Sequence, residues 1–546
     1  MTYIRGDQNT PLFFMKVESI CIVGGGSSGW MSAALLSKTF PNWDICLVES
    51  EKTKPIGVGE STLGHFNRYL IRMGLEDDSW MPKCNATYKT SIAFKNFREG
   101  KGERFQYPFG KFDTESEYCD NPVRFYELRA EYGKELYPPE EFARFANKST
   151  ILAEECRIAD SIPGSPYDPL WDRAYHLDAE LFGQYLREEH AIPNGVVHIK
   201  GDVGDVVKRP DGSIKSIIIS DGTTISADLF IDCTGFKSLL LEQHMNVPFI
   251  PFEHKLFNDA AIATQIPYVD REKQMETYTD CVAMNAGWIW NIPLWHRVGT
   301  GYCYSSKYIN QCEAEVEFRK YLAVRYSPKI AHEAEMKPIK IKHGKRELGW
   351  VKNVVGIGLS YGFVEPLEST GLMTTHENLI TLCDALERRE GIVTRIDRDS
   401  FNGNVNTGIE SMSNFVSIHY ALSSREDNQY WRDVTENISY VNMDTNHYSE
   451  FDANANMWLL LDNVENLFTK NHDMQDGTIY ICAGQDYLAF TKSSHEEKVK
   501  GNFHLGDWNA ERSHQQYQQD KEFLIEWSKQ QPTHYEYLRD KIYGSV

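Results

Sequence analysis

Gly24, Gly26 and Gly29 stand in the spacing GxGxxG, and Glu49 follows Gly29 by 20 residues. The chemistry of that pattern is phosphate binding. The first glycine permits a tight turn, the second lets a pyrophosphate reach the backbone, and the third lets a helix pack close to a strand. Ser27 and Trp30 are further candidates for cofactor contact, and the helix that follows the glycines faces the phosphates with free N–H groups and a positive dipole end. A carboxylate at Glu49 can accept hydrogen bonds from ribose hydroxyls. Metal chemistry finds no support in the spacing. The 11 cysteines are scattered, with none in CxxC and none at ligand spacing with histidine. They read as free thiols in a reducing cytoplasm.

These residues need particular elements around them. Ser19–Val23 is a short apolar run that ends in the glycines, the helix reads over 28–39, and Asp44–Glu49 reads as the next strand. Together they form a βαβ unit on a parallel sheet, with the first strand beginning after Met15-Lys16. Two later segments turn the reading from NAD towards FAD. Asp228–Gly235 is a strand running into small residues, and it looks like the second nucleotide-contacting strand of the glutathione-reductase-type FAD fold. Asn353–Gly358 is another strand entering glycines, with a helix expected after it.

Elsewhere, residues 196–232 alternate strand patterns with the turn signals Pro210-Asp211-Gly212 and Asp221-Gly222. Residues 281–306 read as an aromatic-rich hairpin region. Helices are expected over 312–325 and 372–389, and the last 120 residues look mainly helical. The fold class that follows is α/β. It comprises an FAD-binding Rossmann-like domain of the glutathione-reductase and flavin-monooxygenase type, an inserted β-rich substrate region and a mainly helical C-terminal part. The expected divisions are an N-terminal extension over 1–16, the FAD-binding domain with its insertion over 17–435, and a helical region over 436–546 covering the substrate site.

Composition narrows the function classes. With 546 residues and 41% hydrophobic content the chain can build a full core. No uninterrupted apolar run approaches 18 residues, so no membrane partner is expected. A net charge of −21 argues against nucleic acid as a partner. It also means that an anionic ligand needs local help from backbone amides or a few cations.

Gly287-Trp288-Ile289-Trp290-Asn291-Ile292-Pro293 fits the pattern WxWxIP, which resembles the signature of flavin-dependent halogenases, above all the tryptophan halogenases. Ile22–Met31, Gly57–Thr62, Tyr88-Lys89, Tyr175–Ala179, Tyr361–Leu372 and Phe415–Trp431 resemble the same family. The similarity runs from about residue 17 to about 435. It implies reduced FAD, O2 and a halide ion as reactants, and a separate NAD(P)H-dependent flavin reductase as partner, since no second GxGxxG is present. In that family hypohalous acid made at the flavin reaches a small aromatic substrate that never touches the flavin. Trp288, Trp290, Ile292 and Pro293 would line the tunnel between them.

The resemblance also distributes roles. Lys89 matches the catalytic lysine, able to donate to hypohalous acid or to form a haloamine. Glu368 matches the essential glutamate, which would orient the oxidant and take the proton from the arene. The two are expected to meet in one cavity. Thr370 and Gly371 resemble the halide site, where N–H groups at a helix start form an anion nest; plain N-capping by Ser369 or Thr370 is the compatible alternative. Gly57, Glu60, Val203, Leu359 and Leu372 fall at cofactor-contacting positions, and Tyr107, Phe109 and Ser369 at substrate positions.

One departure bears on the substrate. Tryptophan halogenases carry His-Pro-Phe where this chain has Tyr107-Pro108-Phe109. An aromatic substrate of indole or phenol type still fits, whereas free tryptophan fits less well, and no amino-acid-gripping residues match within 436–470. Two other readings stay open, an FAD-dependent aromatic hydroxylase and a flavin-binding protein without turnover. Natural substrate, halide preference and homo-oligomer formation are left open.

Overall fold

The computed structural model describes residues 14–52, 59–113, 116, 118–119, 123–440, 476–487 and 509–544. Gly57 and most of 436–470 lie outside these. The chain divides into two compact units. The first is built from 1–86, 177–253 and 342–412, and the second from 87–176, 254–341 and 413–546.

The first unit is organised by a six-stranded sheet. Its order is Trp350–Val351, Val354–Gly356, Leu229–Asp232, Ser19–Val23, Asp44–Glu49 and Val197–Lys200. All neighbours are parallel except the first pair. The Ser19–Val23 and Leu229–Asp232 strands are apolar nearly throughout because a parallel sheet is covered on both faces. The helix Ser27–Thr39 follows the first strand, and nine of its residues are buried. Three antiparallel strands, Val203–Lys208, Ile214–Ile219 and Thr224–Ser226, add Ile214, Ile217 and Ile219 to a core shared with Phe230, Leu240 and Leu241.

Two details differ from the sequence reading. Met15–Lys16, expected to precede the first strand, itself pairs antiparallel with Ile392–Val393. Gly358 opens only a short 3-10 turn, Gly358–Ser360; the next long helix starts at Thr370.

The second unit contains a seven-stranded sheet. Its order is Lys337–Lys340, Ala260–Ile266, Val298–Tyr304, Gly287–Pro293, Tyr278–Ala283, Ser91–Lys95 and Arg104–Pro108. The helix Gln311–Arg325 buries Ala314, Phe318 and Leu322 against Ile262, Ile289 and Tyr302 of this sheet. It starts with a complete capping box between Asn310 and Glu313. A second core gathers Phe125, Tyr137, Phe142, Phe145, Tyr480 and Tyr517 from four helices and the loop between two of them. The short strand Thr87–Lys89 pairs residue for residue with Ala174, Tyr175 and His176.

Candidate active site

The nucleotide half of the site lies in the first unit. Gly24 has φ +115°, and a Cβ there would stand 2.3 Å from the carbonyl oxygen of Cys233, so only glycine can make this turn. A Cβ on Gly29 would stand 1.9 Å from the carbonyl oxygen of Gly24, which is the close helix-to-strand approach expected of the third glycine. Gly26 is the opposite case: nothing lies within 4 Å of its Cβ position. It is the N-cap of the Ser27–Thr39 helix and provides no side-chain cap. The Ser27 hydroxyl is turned aside and donates to the carbonyl of Ala179 at 3.1 Å. An open space before uncapped N–H groups is the cradle a pyrophosphate requires, so these residues fit FAD.

Glu49 has company that its position in the sequence did not reveal. Its Oε2 lies 2.8 Å from Nε2 of His198, and its carboxylate fills the place where a Cβ of Gly25 would be. His198 meets the edge of Trp30 at 4.9 Å between centroids, and the Arg187 guanidinium lies 5.8 Å over the same indole. One oxygen of Glu49 is therefore engaged within the protein, so Glu49 and His198 together form the polar end of this half. Val203 starts its strand half-buried at the edge of the neighbouring core.

The third strand brings Leu359 to the same region. Gly358, at φ +69°, would set a Cβ 2.3 Å from the Ser28 hydroxyl oxygen, so this turn sits directly on the start of the Ser27–Thr39 helix. Ser28 is also 3.3 Å from the Thr375 hydroxyl, which ties in the helix Thr370–Glu387 with its buried Leu372.

Before that helix, Pro366–Glu368 forms a 3-10 turn, and both Glu365 and Glu368 are buried. Ser369 takes the left-handed conformation at φ 58° and provides no side-chain cap. Its hydroxyl donates to that of Ser61 at 2.9 Å. The Thr370 hydroxyl points back to the carbonyls of Val364 and Glu365 at 3.3 and 3.4 Å. Neither hydroxyl performs the N-capping considered above. Glu60 faces this turn, its Oε2 3.2 Å from the Cβ position of Gly371. Burial pushes the Glu60 carboxyl up to about 7. Protonated, it tolerates an anion beside it; ionised, it repels one.

The second unit gathers the lysine and the aromatic residues. Lys89 is fully buried, whereas Lys95 on the next strand is exposed. The Lys89 ammonium lies 4.9 Å from the ring centre of Phe109. Phe109 stands edge-on to Tyr107, 5.7 Å away at 90°. Tyr107 in turn meets the edge of Phe415 at 6.3 Å and stacks on Tyr480 at 5.8 Å and 27°. Phe112 stacks behind Tyr480 at 5.4 Å, so three rings, the half-buried Tyr107 foremost, are piled face to face. Phe415 and Tyr480 have no counterpart among the expected site residues. Gly477 makes room for them: a Cβ there would come within 2.8 Å of Tyr107 Cζ, Tyr107 Oη and Phe415 Cζ.

Trp288, Trp290 and Ile292 share one face of the strand Gly287–Pro293 and are all buried. The two indoles are 6.0 Å apart, and Gly301 on the partner strand leaves space for the ring of Trp290. The Thr87 hydroxyl donates to the Pro293 carbonyl at 2.6 Å, which joins the strand of Lys89 to the strand of the tryptophans. Lys89 thus belongs to the second unit and Glu368 to the first. Among the described residues there is no cluster of side chains able to hold a metal, and no helix long and apolar enough to cross a membrane.

The sheet order, the three glycine turns and the open helix start define a dinucleotide-binding protein of the FAD type. Comparison with known proteins makes this specific. The tryptophan halogenase family model matches residues 19–491. The 7-chloro-L-tryptophan 6-halogenase KtzR of Kutzneria sp. (strain 744) is 35% identical over 435 residues, covering 76% of this chain and 81% of that protein. The tryptophan 7-halogenase RebH of Lentzea aerocolonigenes is 32% identical over 433 residues, covering 76% and 78%. Among solved structures, VirX1 in its apo form matches with a TM-score of 0.89 at 47% identity, covering 97% of this chain and 100% of that one. Xcc4156, a flavin-dependent halogenase from Xanthomonas campestris, matches with a TM-score of 0.78 at 26% identity, covering 96% and 98%. The chain belongs to the tryptophan halogenase family. The proteins of this family are flavin-dependent enzymes, which implies FAD as cofactor.

Proposed function

We propose that this chain oxidises halide to hypohalous acid with reduced FAD and O2. The acid passes through a tunnel to Lys89 and Glu368 and halogenates an electron-rich aromatic of indole or phenol type. The observation that carries this reading is the surroundings of Lys89, a wholly buried ammonium beside Phe109 and the ring cluster of Tyr107. Lysine is almost never buried whole, and doing so costs free energy that a folding role alone does not require.

FAD, when bound, supplies the activation of O2. Gly24, Gly26, Ser27 and Gly29 hold its pyrophosphate, Glu49 with His198 faces the ribose, and Trp30, Leu359 and Leu372 pack beside the cofactor. The N–H groups of Thr370 and Gly371 hold the halide. Trp288, Trp290, Ile292 and Pro293 wall the flavin off from the substrate. Lys89 donates a hydrogen bond to the oxidant or carries the halogen as a haloamine. Glu368 orients the oxidant and accepts the proton lost from the arene carbon. Tyr107 and Phe109 receive the aromatic ring, and tyrosine at the first of these positions points away from free tryptophan. A separate NAD(P)H-dependent reductase supplies reduced FAD.

The test gives the protein reduced FAD, O2 and, in turn, chloride, bromide and iodide, with a panel of indoles and phenols, and reads product masses. Replacement of hydrogen by halogen supports the reading. A gain of one oxygen makes the chain a hydroxylase, and peroxide alone across the panel refutes turnover of aromatics. Lys89→Ala and Glu368→Gln should each lower product by at least about 100-fold while FAD still binds.

A further inference from the structure

His176 is a fully buried histidine, part of a segment resembling the family, for which the reaction outlined above has no use. Its hydrogen bonds form a chain with one direction. The single proton of the Thr87 hydroxyl goes to the Pro293 carbonyl at 2.6 Å. His176 Nδ1, 3.3 Å from the same hydroxyl oxygen, must therefore be the donor to it. With the buried imidazole neutral, Nε2 is the acceptor from the Thr279 hydroxyl at 2.9 Å. Burial first, then the charge of Lys89 and the neighbouring His534, push His176 well below the usual histidine range.

The chain is placed where it matters for the lysine. Thr87 lies two residues before Lys89 on the same strand, so both side chains leave the same face. Thr87 pairs with His176, and Lys89 pairs with the small Ala174. Between them, the N–H of Tyr88 donates to Nε2 of His534 at 3.2 Å. At its other end the chain stops on Pro293, the last residue of the strand that carries Trp288 and Trp290.

We propose that Thr87 and His176 are positioning residues for Lys89. The sequence of donors Thr279, His176, Thr87 fixes the lysine's strand against the end of the tryptophan strand, so that Lys89 intercepts the oxidant before it escapes. This rests on the role proposed for Lys89. The test is the partition of oxidant. Halogenated arene and free hypohalous acid, trapped by a dione scavenger, are each divided by the reduced flavin consumed.

Thr87→Val, which keeps the shape and deletes the hydroxyl, should lower the ratio of arene to trapped oxidant by roughly tenfold, in line with the cost of a small misplacement. Thr87→Ser, which keeps the donor, should stay within about twofold of wild type. Thr279→Val breaks the chain from its other end and carries the test if Thr87→Val does not fold. A wild-type ratio in the folded valine variants overturns the positioning role while leaving the proposed function intact. A wild-type protein that halogenates nothing in the panel overturns both.

Discussion

Replacing Gly477 with alanine sets helix propensity against packing around Tyr107. Gly477 is the second residue of the helix Asp476–Gly484, where alanine gains at most about 1 kcal/mol over glycine. The added Cβ would stand 2.8 Å from Tyr107 Cζ, Tyr107 Oη and Phe415 Cζ. Three contacts that short, from backbone-fixed carbon onto a Tyr107 ring held by Tyr480 and Phe109 and a Phe415 ring packed on His419, make an overpacked site, which costs about 1–3 kcal/mol. The net expectation is a loss of up to about 3 kcal/mol in stability, together with a displaced Tyr107 ring. Thermal unfolding measures the first effect, and the product ratio between a one-ring phenol and a two-ring indole measures the second. The double variant Tyr107→His/Gly477→Ala removes the phenol that the methyl meets. It should recover most of the stability, with a coupling of about 1 kcal/mol or more in the double-mutant cycle. Additive effects in that cycle, or an unchanged phenol-to-indole ratio in Gly477→Ala, would refute the idea that this glycine sets the shape of the aromatic site.

Two further outcomes follow from the first unit. Gly24→Ala, which drives a Cβ into the Cys233 carbonyl at a φ that L residues rarely adopt, should reduce FAD retained after gel filtration by more than about tenfold; full flavin absorbance would show that the turn can open without loss. With Glu60 beside Gly371, halide affinity should improve as pH falls through about 7, because protonation removes a negative charge from the anion's neighbourhood. Glu60→Gln should flatten that dependence, as read from the halide KM across pH. The sign is fixed by the raised carboxyl: its protonated form is favoured below that pH, and its charge appears above it.

The parts legible in the sequence are those whose physics is local. Ser19–Val23, Asp44–Glu49 and the glycines between them announce a strand, a turn and a helix within about 30 residues, and the sheet carries the three nucleotide strands read from 19, 228 and 353. The aromatic-rich hairpin around 281–306 is three adjacent strands of the second sheet. What stayed hidden depends on partners distant in the chain. His198 reaches Glu49 only because Val197–Lys200 adds beside Asp44–Glu49, and no pattern within either strand specifies the other. Tyr480 stacks on Tyr107 from 373 positions further along the chain, and apolar periodicity marks a buried face without saying what it meets. Ser369 and Thr370 look like helix caps by residue type. Their hydroxyls go to Ser61 and to backbone carbonyls instead, a competition that composition cannot decide.

The interleaving of the two units has a consequence for biosynthesis. At about 5–20 residues per second, a ribosome needs on the order of 20–80 s to reach residue 412, the last of the first unit. Within that interval the apolar Ser19–Val23 strand waits for Leu229–Asp232, and that strand in turn for Val354–Gly356, to extend the ladder. Nascent chains of this protein therefore carry unsatisfied strand edges for tens of seconds, and slow, cool expression with chaperones in excess should raise the yield of folded enzyme.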